Sequence, residues 1–402
     1  IDYLEIDKLG FVIKGKSKEG RPAFPTDGLL RLYFYGYLNR VRSSRRLERE
    51  AQTNVEAIWL MRGLQPCYKT IADFRKDNIK ALKKTFKQFN KFLKGEGLFD
   101  GDTVAIDGTK IRAQNSKKNN YNEKKIKQHL DYIDKQTDAY LEQMNEIDQQ
   151  EASEATEEQA LEISQKLDHL AKRKEKYNTL KEDLAEVRKN NQAQISTVDP
   201  DARALPKKMN IVQVGYNVQA SVEADNKLIT NFKVTNENDQ YALSGMAKKA
   251  KKVLEKEEIN ALADKGYDTG HELKKCANNN ITTYVSPRKR TSPRKDKRFG
   301  KNKFIYDAET HTYTCPEGTI LTTNGTWYSK VTGANKEQRK NYRFQRFEAP
   351  IDTCRNCPFA EQCAGATNIK RSKGHHIERS EYEDYVEDNR VCEAVLLLPS
   401  CA

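Results

Sequence analysis

The chain has 402 residues, 32% of them charged and 37% hydrophobic, with a formal net charge of +13. That length holds two or three domains with real cores. A mean hydropathy of −0.89, apolar runs far short of the roughly 20 residues that cross a bilayer, and no signal-peptide pattern at the start argue against a membrane protein, so a cytoplasmic one is expected. The positive excess, with a pI near 9.1, points to a polyanion partner, nucleic acid being the obvious one.

The chain begins at Ile1 in a run already alternating acidic and apolar residues, as a fragment would. From about Pro25 to Leu98 the pattern is helical. Leu29, Leu30, Leu32, Tyr33 and Tyr37 mark one apolar stripe. Leu47, Val55, Ile58, Trp59 and Leu60 mark a second, ended by Gly63 and Pro66. Thr70 is the expected N-cap of one further helix, in which Ile71, Phe74, Ile79, Leu82, Phe86, Phe89 and Phe92 recur at helical spacing. Between the first two stripes lie Arg40, Arg42, Arg45, Arg46 and Arg49. Short helices with arginines clustered at a junction suit a helix-turn-helix-like module, although a small bundle with a wet face has the same spacing. Residues 1–98 are read as an all-α DNA-binding domain, and residues 1–100 carry a net charge of about +9.

Two aspartates then follow short apolar runs, Asp107 in VAIDGTK and Asp264 in INALADKGYD. Both runs read as buried strands. An acid at a strand's end projects into the opening where the sheet stops, and two such acids from different strands can hold divalent metal for phosphodiester chemistry. A lone Asp-Gly after a strand is more often a turn. Between the two acids, Ile126, Leu130, Ile133, Tyr140, Met144 and Ile147, then Ile163, Leu167, Leu170, Tyr177, Leu184 and Val187, step at helical intervals. They predict a long antiparallel helical hairpin over 116–192, inserted between strands. Val214–Thr235 alternates around an Asp225-Asn226 turn, a β-hairpin signature. A helix over Leu243–Leu254, the Asp264 strand, a helix over Thr269–Ala277 and a strand over Thr282–Val285 complete an α/β order over 99–286. That order is compatible with a ribonuclease-H-like fold, where acids of the first and fourth strands meet.

Residues 287–370 read as a basic, cysteine-containing insertion. Val285–Phe304 has nine basic residues, including Arg288, Lys289 and Arg290, against Asp296 alone. This run suits DNA contact, or simply a solvated loop. Eight cysteines in a cytosolic-looking chain argue against a disulfide framework. Cys315-Pro-Glu-Gly318 resembles a zinc-knuckle turn and Cys354-x2-Cys357 has chelating spacing. Cys315, Cys354, Cys357 and Cys363 could thus form a closed structural zinc site, the other reading being free thiols in a β-rich subdomain.

RSSRRLERE, NVEAIWL and TIADFRKDN, followed in order by AIDGTKIRA, DPDARA, VGYNVQASV, VTNENDQ and ADKGYDTG, resemble DDE-class transposases of bacterial insertion sequences. The resemblance covers most of residues 20–390. It implies a ribonuclease-H-like catalytic domain, Mg²⁺ or Mn²⁺ as cofactor, and cleavage and strand transfer of double-stranded DNA at terminal inverted repeats and target. It also implies a homo-oligomer that pairs two element ends. Asp107 takes the place of the first catalytic acid and Asp264 that of the second, both as metal ligands.

The third acid of such relatives is a glutamate within a Y-x2-R-x3-E-x6-K signature, and the sequence has none. HIERSEYEDYVEDNR reads as a last helical run ending at Arg390, and VCEAVLLLPSCA continues nothing before it, as after a frameshift or truncation. Glu378, Glu381, Glu383 and Glu387 are available carboxylates, more simply read as solvated helix charges. The expectation is a transposase by descent with impaired catalysis, the alternative an inactive remnant that binds inverted repeats. A metal-dependent nuclease on the same fold is a third class, disfavoured by the arginine-rich N-terminal region.

Overall fold

Apolar residues recurring every three or four positions between Thr26 and Gly95 produce helices, and alternation after Asp102 produces strands. In a computed structural model, residues 1–2, 4–12, 22–114, 117–149, 154–189, 194–206, 212–288, 299–332, 340–363 and 374–396 are described. The chain divides into two units, Ile1–Gly101 and Asp102–Ala402.

The first unit contains six helices among its described residues: α1 (Ile6–Leu9), α2 (Thr26–Leu38), α3 (Ser44–Thr53), α4 (Val55–Leu60), α5 (Tyr68–Asp77) and α6 (Ile79–Gly95). Leu30, Leu32, Leu47, Ala51, Met61 and Ile71 form its core. Gly36 lets α2 and α3 meet, since a Cβ there would lie 2.6 Å from Leu47 Cδ2. Two expectations fail here. The single helix after Thr70 is two helices, with Cys67 as the N-cap of α5 and a break at Asn78. The buried Asn78 side chain donates to Phe74 O and accepts from Val12 N, so it serves a loop contact in place of helix continuity. The second stripe holds only in part: Leu47 is buried, but Val55 and Trp59 are 80% and 75% exposed, while Ala57 and Met61 go inside. Small residues at the crossing let the helices approach, which hydrophobicity alone does not reveal.

The second unit opens with β1 (Thr103–Arg112) and a hairpin. Short strands β2 (Asn120–Tyr121) and β3 (Ile195–Ser196) pair at the hairpin's base. Helices α7 (Glu123–Asp148) and α8 (Glu154–Arg188) bury Ile126, Ile133, Leu170, Tyr177 and Leu184 between them, as the sequence predicts. Next come β4 (Arg203–Pro206), β5 (Val212–Glu223), β6 (Ile229–Thr235), α9 (Leu243–Leu254), β7 (Ile259–Ala263), α10 (Gly270–Ala277) and β8 (Ile281–Val285). The main sheet runs β6-β5-β1-β7-β8, with β4 sharing β5's outer edge. β5 and β6 are antiparallel to their neighbours, whereas β7 and β8 are parallel to β1.

A second, antiparallel sheet follows, in the order β13-β12-β11-β10-β9. Its strands are β9 (Ile305–Asp307), β10 (Thr312–Thr314), β11 (Ile320–Thr332), β12 (Lys340–Glu348) and, after α11 (Ile351–Asn356) and α12 (Ala360–Cys363), β13 (His376–Ser380). HIERS is therefore a strand and not the start of the last helix, because its alternate residues Ile377 and Arg379 turn inward against β12. Helix α13 (Glu383–Leu396) then returns to the main sheet. Asn389 accepts from Val285 N at 2.9 Å and donates to Val285 O at 2.8 Å, fixing α13 to the end of β8. No helix among the described residues is long and apolar enough to cross a membrane.

Candidate active site

β7 pairs with β1 only as far as Ala263 opposite Ile106. The next residue on each strand is an aspartate, Asp264 and Asp107. Parallel neighbours lie about 4.8 Å apart, so the register puts the two acids side by side where the strands part. The expectation that Asp107 ends its strand is corrected: β1 runs on to Arg112, paired with β5 alone, and Asp107 sits opposite Ala220. Asp264 does end its strand. It caps a single turn, Lys265–Tyr267, by accepting from Gly266 N at 2.7 Å.

A third carboxylate, which the sequence did not mark as a site residue, joins them. Asp239 follows β6, and its Oδ1 accepts from Asn217 Nδ2 at 2.8 Å and Gln219 Nε2 at 2.7 Å. A Cβ at Gly108 would stand 2.5 Å from Asp239 Oδ1, and one at Gly266 would stand 2.7 Å from Asp264 Oδ1 and 3.5 Å from Asp239 Oδ2. Asp239 thus reaches from the residue after Asp107 to the turn carrying Asp264, through space that only glycine leaves. Its signal was the VTNENDQ segment, which carries the family resemblance without pointing to this acid.

Beneath the acids lies the wholly buried Tyr267, whose hydroxyl donates to Gln219 Oε1. Burial raises its pKa most, and the negative charges of Asp239, Asp107 and Asp264 raise it further, so the phenol keeps its proton. Tyr267, Gln219 and Asn217 are buried, the two amides on one face of β5 with the half-buried Asp239 bonded to both, and Asn217 Oδ1 is buried without a hydrogen-bond partner. Hard oxygen donors converging on one opening are the donor set that Mg²⁺ takes, completed by water and phosphate. Among the described residues no three or more His, Cys, Asp or Glu side chains are gathered, as placed, closely enough to hold a metal ion.

Arg288 is engaged with the Asp264 loop: Nε and Nη2 donate to Lys265 O at 3.0 Å and Gly266 O at 2.7 Å, and its backbone N to Asp268 Oδ2 at 2.8 Å. It positions the acid's loop. Lys289 and Arg290 lie outside the described residues. In the first unit Arg40, Arg42, Arg45, Arg46 and Arg49 are all exposed, and Arg45 lies over the Tyr68 ring at 4.2 Å. The far face of α3 is Leu47 and Ala51, so Arg45, Arg46 and Arg49 form an outward, basic face of α3, with Arg40 and Arg42 in the segment just before it.

The four late glutamates are ion-paired with basic side chains. Glu378 meets Lys330 at 2.8 Å, Glu381 meets Arg343 at 3.5 Å, Glu383 meets Lys301 at 2.9 Å and Glu387 meets Arg379 at 2.7 Å. Glu383 is only 3% exposed, which corrects its reading as a solvated charge. Burial opposes the charge on Arg379, but hydrogen bonds to Glu387, Tyr313 and Asp384 outweigh it and raise its pKa. The cysteines Cys315, Cys354, Cys357 and Cys363 line a separate cavity under the second sheet.

Residues 2–77 match the family model described as a transposase domain (DUF772). Among curated proteins none matches the chain. A cryo-EM structure of the piggyBac transposase synaptic complex with hairpin DNA aligns at 10% identity and a TM-score of 0.30, over 76% of this chain and 53% of that one. The chain spans about half the length of that structure, a likeness too distant to bear on fold or function.

Proposed function

We propose that the chain is a DNA transposase of insertion-sequence type, built on a ribonuclease-H-like domain and impaired in cleavage and strand transfer at terminal inverted repeats. The observation that carries the reading is the side-by-side placement of Asp107 and Asp264 where β1 and β7 part, in a sheet ordered β6-β5-β1-β7-β8. Numbered within that sheet, the order is 3-2-1-4-5 with the third and second strands antiparallel to their neighbours, the arrangement of ribonuclease-H-like proteins. The transposase-domain match over residues 2–77 supports it independently.

Asp107 and Asp264 would hold Mg²⁺ or Mn²⁺, which when bound supplies Lewis-acid stabilisation to the attacking and leaving phosphate oxygens. The chain's own groups have defined tasks. Asp239 fixes the spacing of the pair through Gly108 and Gly266. Tyr267, kept protonated, holds Gln219 so that its amide faces Asp239. Arg288 clamps the Asp264 turn. The basic face of α3 would grip DNA phosphates, with a salt dependence set by the number of contacts. Impairment is inferred because the signature glutamate is missing from the sequence and Glu378, Glu381, Glu383 and Glu387 are occupied elsewhere. The same observation favours a second reading, a remnant that binds inverted repeats without cutting.

The test is incubation of the purified chain with DNA flanking its own gene, with Mn²⁺, read by cleavage and by gel retardation. Slow cleavage abolished by Asp107→Asn and by Asp264→Asn, with retardation intact, supports the transposase. Retardation without cleavage supports the remnant. Cleavage untouched by either substitution, or no DNA binding at low salt, overturns both. Sedimentation showing only monomer with and without DNA would remove the paired-end oligomer.

A further inference from the structure

Four cysteines from three separate stretches of chain line one small cavity of about 30 Å³, together with the buried His375. Cys315 sits between β10 and β11, Cys354 in α11 with Cys357 at its C-cap, and Cys363 ends α12. None of the four is in a disulfide. An inert buried cysteine behaves as a small apolar side chain, and nothing about apolar packing requires four of them around one void.

The backbone treats the Cys315 sulfur as an acceptor. Thr319 N donates to Cys315 Sγ at 3.2 Å, in a turn closed by Gly318 N donating to Cys315 O at 2.9 Å. Gly318 has φ +82°, which a side chain would strain, so glycine is what allows this turn. Such N–H groups stabilise a thiolate more than a thiol. His375, 6% exposed, shares a hydrogen bond with Cys363 Sγ through Nδ1 at 3.4 Å and stacks on Phe304 at 4.7 Å. At Gly374 a Cβ would stand 2.7 Å from Ala349 O and 3.4 Å from Cys354 Sγ. The 374–375 segment therefore passes directly over the thiols.

We propose that Cys315, Cys354, Cys357 and Cys363 hold one structural Zn²⁺ and that His375 is a positioning residue, donating from Nδ1 to the Cys363 thiolate. Tetrahedral Zn²⁺ takes four thiolates at about 2.3 Å. On binding, each of the four thiols gives its proton to solvent, so four protons leave and no electron moves. The four sulfurs line the cavity but, as placed, are not gathered closely enough to hold a metal ion. Zinc binding supplies the energy that closes it, metal binding and local folding being coupled. Ligand partners of His375's kind orient the first shell. The centre would fasten α11 and α12 to the second sheet, and it is independent of the acid pair's chemistry.

The experiment uses the full chain, purified under reductant, for metal analysis, then chelator-stripped and titrated with Co²⁺ and Zn²⁺. The expected results are about one equivalent of zinc and the absorption of a tetrahedral cobalt–thiolate centre, bleached by zinc. Cys354→Ser and Cys357→Ser lose both, and His375→Ala keeps the centre with affinity lowered roughly 10–100-fold. Zinc also shields the four cysteines from alkylation mapped by peptide, while the exposed Cys67, its pKa lowered by hydrogen bonds from Thr70, still reacts. Less than roughly a tenth of an equivalent with no cobalt–thiolate absorption overturns the centre. Unprotected alkylation overturns it even if the variants fail to fold, and unchanged affinity in His375→Ala removes the role of His375.

Discussion

The acid pair joins residues 157 positions apart and the thiol cavity gathers cysteines and a histidine no more than 60 apart, and their surroundings differ in kind. Under the acids, Asn217, Gln219, Ser221 and Glu223 form a wholly buried polar face along β5, each tied to a neighbour. Asn217 and Gln219 bond Asp239, Ser221 bonds Thr230, and Glu223 accepts from the backbone of Asp225 and Asn226. Around the thiols the lining is mostly apolar, with Phe299, Phe304, Leu321, Ala349 and Ala360, and polar only at Glu317, Thr319 and His375. A hydrogen-bonded network fixes its members without a ligand, whereas this mostly apolar wall, hydrogen-bonding to sulfur at Cys315 and Cys363, leaves the sulfur positions largely to be set by whatever they bind. One site is held by the fold, and the other helps to hold it.

Chelation tests that contrast most severely. A strong zinc chelator is expected to expose the second sheet's amides to hydrogen exchange, with apparent destabilisation on the order of 10 kcal/mol, while β1, β5 and β7 stay protected. Equal loss in both sheets would erase the difference. Gly108→Ala attacks the other side: its Cβ meets Asp239 Oδ1 at 2.5 Å, so a stability loss of about 3 kcal/mol is expected in denaturant titration, with residual cleavage gone. Asp239→Asn keeps the shape but removes the charge. Residual cleavage is expected to fall about 10–100-fold with melting nearly unchanged, and no fall would demote Asp239 to scaffolding.

A smaller effect separates the exposed acid pair from a buried carboxylate, Glu272. Burial alone would raise the pKa of Glu272, but hydrogen bonds from Ser244 and Lys275 outweigh it and lower the value below 4.5. Its stabilisation is complete above the unfolded pKa and is lost as pH falls through the folded one. Glu272→Gln should therefore flatten the acid limb of a stability–pH curve and cost about 1–3 kcal/mol near neutrality. The smallest effect is a control: Gly245 lies within α9 with nothing inside 4 Å, and Gly245→Ala should stabilise by about 0.5–1 kcal/mol, opposite in sign to Gly108→Ala.

The helical hairpin, α9, α10, β7 and β8 were legible because each depends on local periodicity: Leu243–Leu254 has the predicted limits, and Asp264 ends its strand as read. Asp239 was not legible as a site residue, because it lies in a short turn after β6 and its partners, Asn217, Gln219 and the two glycines, come from other segments of the chain. The four cysteines could be grouped from spacing, yet His375 could not be joined to them without seeing β13 pair with β12. The unbroken helix after Thr70 failed because Asn78 answers a tertiary demand from Val12.

By itself, the sequence determined which segments are helix or strand wherever neighbouring residues supply the pattern, which two aspartates follow apolar strands, and which cysteines have chelating spacing. Tertiary structure alone decided that polar residues fill the buried face of β5, that β1 outruns β7 at Asp107, and that the late glutamates are paired with Lys301, Lys330, Arg343 and Arg379. The physical reason is that periodicity is a local property of the chain, while register, close approach at glycine and the partner of a buried charge arise only when distant segments meet.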